Sequence, residues 1–193
     1  MMKSLNCWLA IGMIAAFSTM AVADDLTLKS GDAAPDFKAT ATCGTEVSLE
    51  NFKDAQAVVV IFNCNTCPVA IAYEDRINEF AKSYADKGVA VVVINNHRSE
   101  DLDAMKQRAE EKGFTFPYVY EGSGDSARAY GAKVTPHCFV LCQDRKIAYQ
   151  GAFDNDQRNP TEHYVADAVN ALLEGKTVNV TYKPAFGCSI KFR

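Results

Sequence analysis

The segment from Cys64 to Pro68, Cys-Asn-Thr-Cys-Pro, places two cysteines three positions apart. Two thiols at this spacing can form a reversible redox couple, supply half of a metal site, or close an ordinary structural disulfide. The thiolate is the form that attacks a disulfide or binds a metal, so the chemistry depends on what surrounds the sulfurs. The choice among the three therefore depends on the elements that flank the motif.

A buried strand precedes the motif and an amphipathic helix follows it. Residues 57–62 form a continuous apolar run, typical of a strand that is buried on both faces. From Val69 onward apolar residues recur at spacings of three and four, which predicts a helix that Gly88 ends. Residues 89–94 predict a second buried strand. The order strand, helix, strand predicts a parallel pair, with the motif at the carboxyl edge of the sheet.

This position favours a redox couple. We expect Cys64 at the N-terminus of the helix, where unpaired N–H groups and the helix dipole stabilise a thiolate and lower its pKa below about 8.5. Cys67 would lie in the first turn, where its sulfur can close onto Cys64 with little backbone movement. Pro68 is tolerated there because first-turn N–H groups have no intrahelical partner.

The remaining pattern predicts one α/β domain. The further predicted elements are a helix N-capped by Ser99 and running to Lys112 before Gly113, a short strand over 116–120, a helical turn from Asp125 to Tyr130, a hairpin of strands 137–141 and 146–150, a helix N-capped by Asn159 and ended by Gly175, and an extended tail from about 176. This order predicts a mixed central sheet with helices on both faces. A cis Thr135-Pro136 bond is expected at the start of the first hairpin strand, because proline cannot complete a ladder.

The first 23 residues are predicted to be an export signal. Lys3 supplies the positive region, residues 7–17 the apolar region and residues 21–23 a small-x-small cleavage site, so the mature chain would begin at Asp24. An uncleaved membrane anchor is the alternative, although polar residues dilute the apolar stretch. The predicted organisation is therefore a signal peptide over 1–23 and a single domain over 24–193 of an exported, periplasmic protein.

Composition narrows the classes of function. The chain has 193 residues, 20 basic against 24 acidic side chains and a net charge of −4, so it lacks the basic excess of a nucleic-acid-binding protein. The roughly 170 residues after the signal suit one domain. We predict no further membrane-spanning segment and no stable membrane insertion once the signal is cleaved.

Several segments resemble the thioredoxin fold, and more closely its redoxin branch, the alkyl hydroperoxide reductase and thiol-specific antioxidant group. The resemblance covers residues 29 to about 175 and rests on GDAAPDF, VSLENF, CNTCP, FPYVYE and YGAKVTP, while GCSIKF resembles the ending of a peroxiredoxin-like subgroup. It implies a thioredoxin-like fold in which Cys64 attacks and Cys67 resolves. Thr135 and Pro136 would form the floor under a substrate chain, beside Asn65 and Thr66.

The expected function is that of a thiol-disulfide oxidoreductase without a prosthetic group or a metal. Cys64 would attack a substrate disulfide, and Cys67 would then displace the substrate from the mixed disulfide. The same steps in reverse oxidise a dithiol, and the residues between the cysteines leave the direction open. Expected partners are protein or small-molecule thiols and disulfides and a redox-recycling partner.

A thiol peroxidase that uses Cys67 is the second candidate. Peroxiredoxins carry the pattern P-x-x-x-T-x-x-C, in which the threonine hydroxyl positions the peroxide at the thiolate. With Cys67 as the reactive cysteine, the threonine position falls on Cys64 and the proline position on Val60. Only the following Pro68 matches, so the pattern favours disulfide exchange.

A copper or zinc site is the non-enzymatic alternative. Cys64 and Cys67 could be joined by His137 or Cys138, because thiolates and imidazole suit these metals. His137 and Cys138 are neighbours on a predicted strand and point to opposite faces, so at most one of them reaches the motif.

The other cysteines are first interpreted as structural residues. Cys138 and Cys142 lie about 13 Å apart along an extended strand, too far for a disulfide, and are expected to pack as small core residues. Cys43 and Cys188 could form a structural disulfide. Alternatively, Cys188 could act as a third redox cysteine that exchanges disulfides with the Cys64–Cys67 pair. Among the polar residues, Glu100, Asp101 and Asp103 are expected to serve the N-terminus of the second helix, and His97 and His163 to be solvated.

Overall fold

The computed structural model of the chain describes residues 28–192, so the predicted export signal lies outside the described residues. The strands are β1 Ala39–Ala41, β2 Glu46–Val47, β3 Ala57–Phe62, β4 Val89–Asn95, β5 Tyr118–Tyr120, β6 Val134–Thr135, β7 His137–Leu141, β8 Ile147–Gly151, β9 Tyr182–Lys183 and β10 Cys188–Ser189. The helices are α1 Pro68–Ala85, α2 Leu102–Lys112, α3 Asp125–Tyr130 and α4 Tyr164–Leu173, with a 3-10 helix at Leu49–Phe52. None of these helices is long and apolar enough to cross a membrane.

Eight of the described strands form one mixed sheet in the order β2-β1-β5-β4-β3-β7-β8-β9. Strands β3, β4 and β5 pair in parallel, whereas β7 is antiparallel to both β3 and β8. The predicted parallel pair and the predicted hairpin are both confirmed. The sheet therefore brings the ends of β3 and β4 to the same edge.

Strand β3 is the centre of the core because both of its faces are covered. Its side chains alternate between two apolar clusters, as the period of two in a strand requires. Ile61 packs in the cluster covered by α1, α2 and α4. Phe62 packs in the cluster covered by α3, against Tyr130 and Phe139. The prediction of helices on both faces is confirmed, and the rigid sheet fixes the position of the loop that follows Phe62.

Two helix starts differ from the sequence prediction. Asp101, not Ser99, caps α2, since its carboxylate accepts a hydrogen bond from the Ala104 N–H at 2.9 Å. Helix α4 begins at Tyr164 with His163 at its N-cap, not at Asn159. The Asn159 N–H is instead bound by the Asp156 carboxylate at 2.8 Å, in a loop of side-chain-to-backbone hydrogen bonds that competes with helix formation.

Candidate active site

Helix α1 begins at Pro68, and Cys67 is its N-cap residue. The Cys67 Sγ accepts a hydrogen bond from the Ala70 N–H at 3.4 Å, which satisfies one of the first N–H groups of the helix. Cys64 lies one turn earlier, in the loop between β3 and the helix. The prediction that Cys64 occupies the helix N-terminus is therefore wrong, and Cys67 holds that position.

The environments of the two sulfurs shift their pKa values in opposite directions. Burial raises the pKa of the Cys64 thiol above its ordinary value, against the prediction that it would be lowered. Burial also acts to raise the pKa of Cys67, but hydrogen bonds from the Cys188 thiol and the Ala70 N–H outweigh it and lower that pKa. The thiolate of the pair therefore forms first on Cys67, because the helix N-terminus and a neighbouring thiol stabilise it.

Thr135 contacts both cysteines. Its Oγ1 lies 3.4 Å from the Cys64 Sγ, and its carbonyl oxygen accepts a hydrogen bond from the Cys67 thiol at 3.3 Å. The Thr135-Pro136 bond is cis, as predicted, and both residues are buried. Strand β6 thus places one residue directly against the two sulfurs.

Glu100 holds the loop that carries Cys64, a role that the sequence analysis missed. Its buried carboxylate accepts hydrogen bonds from the Asn65 N–H, with both oxygens at 3.0 Å, and from the Thr66 hydroxyl at 2.9 Å. The Asn95 side-chain amide donates a further bond at 2.6 Å. The only signal in the sequence is an acidic residue soon after a buried strand, and the same signal predicts a role at the N-terminus of the following helix.

The predicted substrate-binding residues Asn65 and Thr66 have different positions. The Asn65 Oδ1 accepts a hydrogen bond from the Tyr118 hydroxyl at 2.7 Å, and Asn65 does not line the cavity above the sulfurs. Thr66 is exposed and lines that cavity. Asn65 therefore anchors the loop, while Thr66 remains available at the surface.

A cavity of about 270 Å³ opens beside the two sulfurs. Cys64, Cys67 and Thr135 line it, together with the buried side chains of Asn63 and Asn96. The Asn63 Oδ1 and the Asn96 Nδ2 have no hydrogen-bond partner among the described residues. Two residues that line the cavity next to the thiols thus each carry a buried polar atom without a partner.

The C-terminal segment lies across this site. Strand β10 pairs antiparallel with β6, so that Cys188 is opposite Thr135, and Cys188 lines the cavity. The Cys188 thiol is close enough to Cys67 to lower its pKa, whereas Cys43 is exposed and lies 3.1 Å from the Thr45 hydroxyl. The possible Cys43–Cys188 disulfide is not formed in this structure, in which both thiols are free, and the pairing with β6 places Cys188 beside Cys67 instead.

His137 and Cys138 do not join the cysteine pair. The His137 Nδ1 accepts a hydrogen bond from the Lys133 N–H at 3.4 Å, its ring stacks on Phe139, and burial lowers its pKa to about 4. Cys138 is fully buried in the core, which raises its pKa. Among residues 28–192, no group of three or more histidine, cysteine, aspartate or glutamate side chains is arranged to hold a metal ion, so the metal alternative lacks a ligand set there.

Comparison with solved structures places the fold among thioredoxin-like proteins. A hypothetical protein from Sinorhizobium meliloti superposes with a TM-score of 0.81 at 34% identity, over 86% of this chain and 96% of that one. The thioredoxin domain of a thiol-disulfide oxidoreductase from Bacteroides vulgatus superposes with a TM-score of 0.55 at 24% identity, over 62% of this chain and 86% of that one. The thioredoxin-like fold inferred from the sequence is confirmed.

Comparison with protein families and with curated sequences agrees with this fold. Thiol-disulfide oxidoreductase ResA from Bacillus thuringiensis is 24% identical over 123 residues, which are 62% of this chain and 68% of the relative. The family model described as Redoxin matches residues 29–172, which include Cys64, Cys67 and Thr135. The chain is a member of the redoxin family.

Proposed function

We propose that this redoxin is a thiol-disulfide oxidoreductase whose redox couple is Cys64 and Cys67. The observation that carries the proposal is the contact of both sulfurs with Thr135, at 3.4 Å from its hydroxyl and 3.3 Å from its carbonyl oxygen, beside an open cavity. The name of the curated relative, thiol-disulfide oxidoreductase, supports the same activity.

The geometry favours Cys67 as the sulfur that reacts first, the reverse of the order that the family resemblance implies. The Cys67 thiolate attacks one sulfur of a substrate disulfide, the substrate S–S bond breaks, and the leaving sulfur takes up a proton. Cys64 then loses its proton and attacks the Cys67 Sγ, which releases the second substrate thiol and closes the Cys64–Cys67 bond. Two electrons pass from the couple to the substrate, and the reverse sequence oxidises a dithiol.

The edge of strand β6 favours an extended peptide as the exchanging substrate. Strand β10 of the same chain pairs there and brings its residue Cys188 opposite Thr135, next to Cys67, and an extended substrate peptide that replaced β10 would present its own residue at the same position. Thr135 and Pro136 are thus the proposed floor of the substrate site, with Thr66 at its rim. Small-molecule thiols fit the same cavity, and a redox partner that restores the couple completes the cycle.

We place the protein outside the cytoplasm, in the periplasm, on the basis of the export pattern in residues 1–23. Disulfide exchange suits this location because an oxidising compartment lets disulfides persist. N-terminal sequencing of protein from the periplasmic fraction should read from Asp24. Indole fluorescence in the purified protein would contradict cleavage, because the single tryptophan, Trp8, lies within the signal.

Insulin reduction coupled to a dithiol tests the activity. The Cys67→Ser variant should fail to form the mixed disulfide and should not reduce insulin. The Cys64→Ser variant should form the mixed disulfide but cannot close the Cys64–Cys67 bond, so its rate of insulin reduction should fall. Cys142→Ser, at the half-buried residue that follows strand β7, is the matched control and should retain the wild-type rate. Wild-type insulin reduction by Cys67→Ser would overturn the proposal.

Thiol peroxidase activity is a second candidate, which one observation favours. The cysteine with the lowered pKa at the helix N-terminus is Cys67, the residue that would be peroxidatic. Fast consumption of hydrogen peroxide that survives Cys64→Ser and is lost in Cys67→Ser would promote this function. If the wild-type protein consumes hydrogen peroxide no faster than the Cys67→Ser variant does, thiol peroxidase activity is excluded.

A further inference from the structure

The sulfurs of the couple are covered, whereas a third cysteine beside them is exposed. Only 3% of Cys64 and 2% of Cys67 is exposed. Cys188, on strand β10, is exposed and lines the same cavity as Cys67, whose pKa it lowers. A bulky substrate reaches Cys188 more readily than it reaches either member of the couple.

Backbone pairing fixes Cys188 in the position that a substrate residue would take on β6. It lies opposite Thr135, and the next residues continue the pairing, with the Ile190 N–H donating to the Lys133 carbonyl at 2.9 Å. Gly187 has a φ of +151°, and a Cβ there would lie 2.0 Å from the Thr135 carbonyl oxygen. Glycine is therefore required for this close approach.

Aromatic contacts hold the tail on either side of Cys188. The Phe186 ring lies 6.1 Å from that of Tyr73, and the Arg128 guanidinium lies 4.5 Å from the centre of the Phe192 ring. Such contacts add to the backbone pairing and bring both ends of β10 onto the domain. The aromatic contacts of Phe186 and Phe192, on either side of Cys188 in the chain, thus help the backbone pairing to hold Cys188 in position.

We propose that Cys188 is a third redox cysteine, which carries the disulfide from the buried couple to the protein surface by forming a bond with Cys67. The proposal rests on the proposed function, because it adds a step to exchange through the Cys64–Cys67 couple. It identifies the first exchange partner of Cys67 as a residue of the same chain, seated where a substrate strand would otherwise pair.

The relay step is an internal disulfide exchange that needs no added oxidant. With the couple oxidised, the Cys188 thiolate attacks the Cys67 Sγ, the Cys64–Cys67 bond breaks, and Cys64 leaves as a thiolate that takes up the proton lost by Cys188. A substrate thiolate then attacks the exposed Cys188 Sγ and displaces Cys67 as a thiolate. A second substrate thiol displaces Cys188, so two electrons pass from the substrate dithiol to the three cysteines.

The protonation of the site is consistent with this step. In the reduced protein the hydrogen bond to Cys67 raises the pKa of Cys188 to about 11, so Cys188 keeps its proton while Cys67 is the thiolate. Joining Cys64 to Cys67 removes the thiolate that holds this proton. Cys188 is then released to ionise when the couple can accept its attack.

Trapping in the Cys64→Ser variant tests the bond directly. Oxidised glutathione, one equivalent, converts Cys67 to its glutathione mixed disulfide, and Cys188 should displace glutathione to give Cys67–Cys188. Trypsin then yields residues 54–76 linked to residues 177–191, which non-reducing mass spectrometry detects. Gly187→Ala should reduce the linked species at least about tenfold, because it unseats the strand that aligns the thiol. Gly175→Ala is the control, because it also places a side chain at a positive φ, +66°, but its added Cβ meets no atom within 4 Å; it should leave the linked species unchanged.

The outcomes separate this proposal from the proposed function. If Cys67 stays bound to glutathione in Cys64→Ser and no linked peptide forms, while wild-type protein reduces insulin in a Cys67-dependent manner, the relay is wrong and the oxidoreductase stands. If insulin reduction survives Cys67→Ser, the proposed function itself fails. A linked peptide that forms equally in Gly187→Ala would also overturn the proposal, because the seated strand would then have no part in the exchange.

Discussion

Replacing Glu100 by glutamine removes one buried negative charge and nearly preserves the shape of the side chain. The carboxylate binds three groups, the Asn65 N–H, the Thr66 hydroxyl and the Asn95 amide. Hydrogen bonds to a charged acceptor contribute about 1 kcal/mol more than bonds to a neutral acceptor. Three bonds give a loss of about 3 kcal/mol, which the lower desolvation cost of a neutral group partly offsets. We expect the free energy of unfolding to fall by about 2 kcal/mol.

Urea unfolding followed by far-UV circular dichroism measures this loss. Glu110→Gln, an exposed carboxylate on α2, is the control and should change the free energy of unfolding by less than about 0.5 kcal/mol. The Glu100→Gln change should also lower the pKa of Cys64, because the Glu100 charge is among the causes that raise it. A Glu100→Gln variant that is as stable as Glu110→Gln, with an unchanged Cys64 pKa, would refute the role of Glu100 in holding the loop.

Three further predictions concern the same site and its support. The pH dependence of iodoacetamide alkylation should differ between the two cysteines, since the pKa of Cys67 is lowered and that of Cys64 is raised. Cys67, measured in the Cys64→Ser variant, should reach half of its maximal rate at a lower pH than Cys64 does in the Cys67→Ser variant. The opposite order would contradict the assignment of Cys67 as first nucleophile. Thr135→Val should raise the pKa of Cys64 further, because the hydroxyl hydrogen bond is lost, whereas Thr135→Ser should keep this hydrogen bond and leave the pKa of Cys64 unchanged. Equal alkylation profiles for the two variants would refute this contact. Asp154→Asn should lower the free energy of unfolding by about 3 kcal/mol, because the fully buried carboxylate pairs with Arg76 at 2.5 Å. A loss below about 0.5 kcal/mol in urea unfolding would show that this ion pair does not stabilise the fold.

Local pattern was sufficient to predict the elements that carry the site. The apolar run before Asn63 and the periodicity after Val69 both report burial directly, so strand β3 and helix α1 could be predicted. The residue at which helix α1 begins could not be predicted from the apolar periodicity, because that periodicity begins after the N-cap. Pro68 at the first helical position was the available signal, and it identifies Cys67 as the N-cap.

Contacts between distant segments were beyond prediction from the sequence. Glu100 meets Thr66 across 34 positions, and such a contact leaves no periodic trace. Strand β10 has two residues and no alternating pattern, so the tail showed neither its pairing with β6 nor the position of Cys188. These contacts follow from the tertiary arrangement of the sheet edge, which no short segment encodes by itself.

Equilibration of the Cys188→Ser variant in glutathione redox buffers tests the central claim most directly, because it isolates the couple. Non-reducing mass spectrometry of residues 54–76 reports the Cys64–Cys67 disulfide. We predict one two-electron transition at a potential between about −120 and −270 mV, the range spanned by oxidising and reducing members of this fold. Peptides that keep both thiols free throughout that range would contradict the assignment of Cys64 and Cys67 as the redox couple.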